Sequence, residues 1–545
     1  MELLLVLIIC FLVLGLNCVI FVVGALATPK GSIYLGTVHW PGDYFSYLSQ
    51  MAQGKYSFFL VRVLHTAEDL PPTIVGWQMV WLGKFFSLLG IDNIYGYQIA
   101  LVVFIFFFLI LTYRLMIFIF PVSLSCRSKE RGKRLLAFFF FATSTAFFKV
   151  GLDNGKLVWS IYDYWYNTGN SLVRFPHTPH HAIADNLAVL MMLNTIYWIK
   201  RNLNIAKKTI VIAVATLGGA AICSITPVHW MLVGLGAGVA ISIYEAILAI
   251  RRRIVLRVFF ERTIKSLTPV IFYVLGGLPV FFYLKKVYES SSSNLFSWEG
   301  YQQLPASFYL IFVGSGLVIP LAISGVWNFI KKADFPRIFG ISFILVCSLF
   351  FFSFIPVSLH ITNARFWPGT IYIFIAALAA EGIYFLAGFF GRYKKLALSV
   401  LIIIYTASVL PTHIIDLIEK SKPKLGNAYY YLPKDIYASY LTAEKISSKD
   451  DLFLVQWPMN LSFPGITGRR TFHGYDPTTL DFATKDKEAY DFFAGNLSER
   501  EMGALLDKYS INYVLGYWWN PKLPQFARLK RVYSNSIIAI DKVVR

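Results

Sequence analysis

Long apolar runs alternate with short polar stretches over roughly the first three-quarters of the chain. A hydrocarbon core of about 30 Å is crossed by about 20 apolar residues in a helix. Runs that meet or approach this length fall near 3–27, 95–121, 135–150, 182–200, 209–225, 228–250, 266–285, 306–330, 337–356, 367–389 and 396–417, the one at 135–150 being short. The pattern predicts an α-helical polytopic membrane protein of about eleven transmembrane helices. The segment 72–91 is apolar but short and holds Lys84 and three glycines, so it reads as a helix lying in the interface. Within HWPGDYFSYLSQMAQGKYSF, Tyr44, Tyr47, Leu48 and Met51 recur at helical spacing and Gly54 offers a stop, predicting a short amphipathic interfacial helix that Asp43 opens.

From about residue 419 the pattern turns soluble. Strand-like runs stand at DLFLVQW, INYVLGYW and VYSNSIIAIDKVV, with a helical SEREMGALLDKY between the first two. Two domains are expected: 1–417, transmembrane with a long first outer loop at 28–94, and 418–545, a soluble α/β domain of ordinary size.

Charge sets the orientation. The net charge of +20 could suggest nucleic acid, but the basic residues cluster at Arg127 to Arg134, Lys200 to Lys208, Arg251 to Lys265, Lys331 to Arg337 and Arg392 to Lys395, which is every second connection. Positive residues mark cytoplasmic loops, so the clusters orient the helices and no nucleic-acid partner is expected. The N-terminus is then cytoplasmic and the C-terminal domain outside, in a plasma or inner membrane. Ala25 and Ala27 resemble a signal-peptidase site, but the long apolar run before them points to an uncleaved anchor. Cys10, Cys18, Cys126, Cys223 and Cys347 all avoid the tail, so neither a disulfide framework nor a zinc ribbon is expected there.

All nine histidines fall in segments assigned to the outer side, their helix ends or the tail, which concentrates the polar chemistry there. Asp43 has two readings: an N-cap, or a general base on an interfacial helix. Glu68 and Asp69, before Pro71-Pro72, are secondary candidates, and a turn also accounts for them. The string NSLVRFPHTPHHAIADNLAVL places Arg174, His177, His180 and His181 beside a helix start, a pattern suited to phosphate. A metal held by His177, His180, His181 and Asp185 has loose spacing, and a structural cluster is the third alternative. HITNARFWPGT places Arg365 at the same level with His360 and Asn363, either for phosphate or as an interfacial anchor beside Trp367. No Walker A, G-x-G-x-x-G, H-E-x-x-H or Asp-x-Asp motif occurs, which argues against a soluble nucleotide substrate. Ionisable residues inside the apolar runs are few, chiefly Arg114, Lys149, Glu245 and Glu381, fewer than an ion-coupled transporter needs.

Taken together, PGDYFSYLSQMAQGKYSF in a long first outer loop, the interfacial helices after it and a soluble outer domain after many spans resemble the GT-C class of membrane glycosyltransferases. That class includes protein O-mannosyltransferases and bacterial aminoarabinose transferases. TGRRTFHGYDPTTLDFATKDKEAYDFF and NARFWPG are similar to a bacterial branch of it. The resemblance implies transfer of a sugar from a polyisoprenyl-phosphate donor to a glycan, lipid or protein acceptor on the non-cytoplasmic side, with inversion. Asp43 maps onto the catalytic acidic position, with Arg174 or Arg365 and the histidines stabilising the departing phosphate. Many members carry a paired Asp-Glu there, whereas Tyr44 follows Asp43 here. No cofactor is assigned, and a divalent cation is the one candidate. The alternatives are a lipid-linked glycan polymerase or ligase, a transporter or flippase, and a non-catalytic assembly protein.

Overall fold

The computed structural model describes residues 2–38, 40–122, 127–153, 155–162, 164, 167–175, 178–201, 203–289, 300–332, 334–517 and 526–545. Among them, eight helices are long and apolar enough to cross a membrane: Glu2–Leu26, Asn93–Ile119, Pro179–Lys200, Ile205–Ile225, Pro227–Arg252, Leu256–Glu289, Ile371–Gly388 and Gly391–Ser421. A ninth candidate is the pair Phe308–Ser315 and Val318–Lys331, bent by 107° at the break between them. Phe335–Phe351 is apolar but shorter. These helices make the chain an integral membrane protein.

The run at 135–150 departs from expectation. Its first half belongs to the helix Arg127–Thr143, and from Phe148 the chain is extended, Phe148–Asp153 pairing antiparallel with Lys156–Ile161. A helix that stops within an apolar region must have its last carbonyls satisfied by protein groups. Two side chains do so here, Arg174 donating to the Phe141 carbonyl and His413 Nε2 to the Thr143 carbonyl at 2.9 Å; just beyond the helix, Arg174 donates to the Ser144 carbonyl and Thr412 Oγ1 to the Ala146 carbonyl at 2.8 Å.

Contacts divide the chain into two compact units: Met1–Cys18, Leu101–Leu284 and Glu299–Lys420 in one; Val19–Ala100, Lys285–Trp298 and Ser421–Arg545 in the other. At the centre of the first, Ile371–Gly388 is buried along almost its whole length. It approaches Val318–Lys331 backbone to backbone: a Cβ on Gly325 would lie 2.0 Å from the Leu378 carbonyl oxygen, and one on Gly382 1.9 Å from that of Leu321. Small residues permit this close crossing. The buried Glu381 is ion-paired, 2.6 Å from Lys133 Nζ and 3.5 Å from Lys332 Nζ.

In the second unit a five-stranded mixed sheet runs in the order Arg470–Thr471, Leu452–Val455, Tyr513–Tyr517, Ile538–Val543, Leu529–Ser534. The first three strands are parallel and the last two antiparallel to their neighbours. The three strand-like runs of the sequence thus give four strands, because VYSNSIIAIDKVV turns at Asn535 into a hairpin. Glu499–Lys508 is the expected helix, opened by a capping box between Ser498 and Glu501. Leu454, Phe492, Leu506 and Val514 lie in the core between helices and sheet.

The long loop after the first helix belongs to this unit too. Ser32–Tyr34 pairs antiparallel with Tyr431–Pro433. The amphipathic helix Pro41–Ala52 buries Phe45 and Leu48 against the helix Met459–Thr467, Tyr44 against Tyr97, and Met51 beside Gly83. Its apolar face therefore meets protein, which corrects its assignment to the membrane interface. The second apolar segment forms the helix Trp77–Leu88, which exposes Trp81, Phe85 and Leu88 beside Phe58 and Phe59, a surface suited to an interface.

Candidate active site

Pro41 starts the helix and Trp40 is its N-cap residue, without a side-chain capping bond. Asp43 is the third helical residue rather than the first, so the capping role does not hold. Its half-buried carboxylate instead accepts a hydrogen bond from the phenol of Tyr475. Tyr475 follows the strand Arg470–Thr471, and burial, reinforced by the Asp43 charge, keeps its hydroxyl protonated as a donor. Its ring lies 6.4 Å from that of His65, edge to face. His65 is itself buried and donates through Nε2 to the Leu461 carbonyl at 3.2 Å. The ring of Tyr475 also crosses Gly42 closely: a Cβ there would stand 2.6 Å from Tyr475 Cε2. Gly42→Ala is therefore expected to push the phenol off Asp43 while leaving the helix intact. Any transfer activity should fall to the level of Tyr475→Phe, with no further loss in the double variant; additive losses would show that the two residues act separately.

Glu68 and Asp69 are engaged elsewhere in the same unit. Lys485, 1% exposed at its side chain, places Nζ 2.5 Å and 2.6 Å from the two carboxylate oxygens of Glu68. Burial raises Glu68, but the bonds from Lys485 and Thr66 outweigh it and hold the carboxyl below its ordinary range. Asp69 is bonded to Arg62 at 2.5 Å, which likewise holds it low. A carboxylate so paired is a poor base, and both residues serve to fasten the loop to the tail. His65 follows the same pH direction: burial lowers it from 6.5 to about 4. All three groups bind protons more readily in the unfolded chain, so stability falls as pH drops. The His65 share is lost between 6.5 and about 4. Melting of the detergent-solubilised protein should show this slope, and His65→Gln should flatten it; an unchanged slope would remove His65 from the account.

In the first unit Arg174 ends the short helix Ser171–Arg174 and is 1% exposed. Its guanidinium donates to the carbonyls of Phe141, Ser144, Thr168 and Gly169 and to Ser144 Oγ, and stacks 4.3 Å from the Tyr372 ring centroid. It is committed to backbone, so we do not retain it as a phosphate ligand. His177 lies outside the described residues. His360 is exposed, in a left-handed turn at φ 53°. Arg365, half-buried in the 3₁₀ turn Asn363–Phe366, lies within electrostatic reach of both His180 and His229. His180 stacks on His181, ring centroids 4.2 Å apart.

The two histidines within reach of Arg365 both lie in the first turn of a helix, His180 as its second residue and His229 as its third. Thr178-Pro179-His180 opens one helix and Thr226-Pro227-Val228-His229 another; in each, proline follows a threonine N-cap that makes no side-chain capping bond. Two helix N-termini, two histidines and one guanidinium suit an anion.

No family model matches the chain, and no curated protein matches it in sequence. In three dimensions it is similar to the oligosaccharyltransferase AglB from Archaeoglobus fulgidus, solved with an inhibitory peptide and a dolichol-phosphate. The alignment has a TM-score of 0.54 and 11% identity and covers 94% of this chain and 69% of that one. The apo form aligns equally, at 10% identity. ArnT from Cupriavidus metallidurans bound to undecaprenyl phosphate covers more, 98% and 97% of the two chains, at a TM-score of 0.48 and 11% identity.

The chain has the GT-C fold.

Within this GT-C fold, two site residues escaped the sequence. Tyr475 stands 432 positions from Asp43, and no local pattern links them. His229 could have been found, since the Thr-Pro pair ahead of a helical histidine occurs twice. Among the described residues no group of three or more His, Cys, Asp or Glu side chains could hold a metal ion. The described surroundings of Asp43 offer a single carboxylate bonded to a phenol, which does not fit a divalent cation, and no step below is routed through one.

Proposed function

We propose that this protein transfers a glycosyl group from a polyisoprenyl-phosphate donor to an acceptor hydroxyl on the non-cytoplasmic side of the membrane, inverting the anomeric centre. One observation carries the reading: in a GT-C fold, Asp43 is not the helix cap, and among the described residues its carboxylate has no ion-pair partner and is held by the Tyr475 phenol. The Tyr475 hydroxyl marks where an acceptor hydroxyl would donate. Asp43 takes the acceptor proton as its oxygen bonds to the anomeric carbon, and the bond from that carbon to the phosphate oxygen breaks. The phosphate leaves as an anion; within the helical unit, the grouping suited to one is Arg365 with His180, His181 and His229. AglB was captured with dolichol-phosphate, which supports a polyprenyl phosphate as carrier.

The same residues could accept a diphosphate-linked glycan, the polymerase or ligase reading. A transporter is disfavoured because the buried Glu381 and Glu245 of the helical unit are ion-paired to Lys133 and Arg262. The test is reconstitution with a panel of labelled monophosphate-linked sugars and diphosphate-linked glycans, comparing wild type with Asp43→Asn. Transfer from a diphosphate donor alone would move the assignment to the neighbouring class, and transfer from none would overturn it.

A further inference from the structure

At the other end of the helices that begin at Pro179 and Pro227, a cavity of about 350 Å³ opens among four helix ends. Its walls come from the last turns of Pro179–Lys200 and Pro227–Arg252 and from the first turns of the helices that follow them. A 22-residue helix is about 33 Å long at about 1.5 Å per residue, so this cavity and the His180 cluster lie at opposite membrane levels.

Arg201, Lys208, Arg252, Arg262 and Lys265 all line it, with Glu245 as the one acidic group. That carboxylate is spent internally: it is buried, accepts from Ser266 Oγ at 2.8 Å and lies 3.3 Å from Arg262 Nε. Arg201, Lys208, Arg252 and Lys265 are exposed, and among the described residues no carboxylate pairs with them. Orientation by positive loops accounts for basic residues at this level, but it needs no cavity and no convergence from four helices. Trp198 and Tyr244 supply aromatic walls, the Trp198 indole N–H donating to the Lys265 carbonyl at 3.2 Å. Ile205, Ile250 and Leu256, at the ends of the same helices, are 84%, 79% and 69% exposed. Cations inside a cavity of ligand size, about 300–1,000 Å³, with apolar residues beside it, match a molecule that is anionic at one end and greasy at the other.

We propose that this cavity binds the phosphate-bearing headgroup of an anionic membrane lipid, at a site separate from the one assigned to the reaction. The free cations hold the phosphate oxygens by charge-assisted hydrogen bonds, and the acyl chains lie along the exposed apolar residues.

The probe is phosphatidylglycerol, with phosphatidylcholine and inorganic phosphate as comparators, read by native mass spectrometry of lipid adducts and by melting temperature in detergent. Wild type should retain phosphatidylglycerol and melt higher with it than with phosphatidylcholine. R201Q/K208Q/R252Q/K265Q should lose both effects, whereas R392Q/K394Q/K395Q, which removes another basic cluster at the same level, should keep them. Should the quadruple variant fail to fold, the single variants Lys208→Gln and Lys265→Gln serve, each weakening retention about fivefold. Equal retention of both lipids, or full retention by the quadruple or both single variants, would overturn the proposal. Stabilisation by inorganic phosphate to the same extent as by lipid would overturn the lipid source and leave a site for free phosphate.

Discussion

Asp43→Asn is expected to lower the rate of transfer by about 10²–10⁴, the usual worth of a positioned base, which is about 3–5 kcal/mol of barrier. The substitution is nearly isosteric. Asparagine Oδ1 can still accept from Tyr475, the helix needs no cap from this position, and the melting temperature should stay at the wild-type value. Loss of transfer without loss of fold therefore reports the missing base. Tyr475→Phe should cost less, because the carboxylate remains and only its orientation loosens. If Asp43→Asn transfers at the wild-type rate, the base is elsewhere. Glu68 and Asp69 would be poor replacements, being paired with Lys485 and Arg62.

The largest stability effect is expected at Arg174. Arg174→Met leaves four buried acceptors without their Arg174 donor, the carbonyls of Phe141, Thr168 and Gly169 and Ser144 Oγ, while the Ser144 carbonyl keeps the Ser171 N–H. Each buried orphan costs about 1–3 kcal/mol, so a loss above about 4 kcal/mol is expected, seen as failure to accumulate or a collapse of the melting temperature. Arg174→Lys should fare little better, because three donors on a flexible stem cannot reproduce a planar fork. Arg365→Lys provides the contrast. Half-buried in a short turn, it should keep its melting temperature and lose transfer. The reverse pattern, with Arg174→Lys folded but inactive, would return Arg174 to the phosphate site.

The helices of this fold are legible in hydropathy because each must hide its own backbone from lipid. Where a helix end is satisfied by remote side chains, hydropathy has nothing to register. The run at 135–150 reads as one span, yet it breaks at Thr143, where Arg174 and His413 complete its last turn and Thr412 holds the chain just beyond. Arg174 shows the same limit: beside histidines in sequence it looks like a phosphate ligand, whereas in the fold its guanidinium is buried and bonded to backbone carbonyls. Asp43 could be singled out from its local context, an acidic residue behind Pro41-Gly42 on a short amphipathic helix. Its partner could not, since pairing across the length of the chain leaves no periodic trace. The amphipathic stripe of Pro41–Ala52 predicts an interfacial helix, whereas protein covers its apolar face, and a stripe does not distinguish lipid from protein.

The fastening of the first loop to the tail has a consequence for biosynthesis. Arg470 reaches the Ala67 carbonyl across 403 residues and Thr479 the His65 carbonyl across 414. At about 5–20 residues per second of translation, the loop emerges about 20–80 s before the residues that complete it. During that interval Asp43 has no Tyr475 beside it, Glu68 has no Lys485, and the part of the Pro41–Ala52 face that Met459–Thr467 covers is bare. The nascent chain thus lacks the Asp43–Tyr475 pair until Tyr475 has been made, with that part of the helix face bare meanwhile.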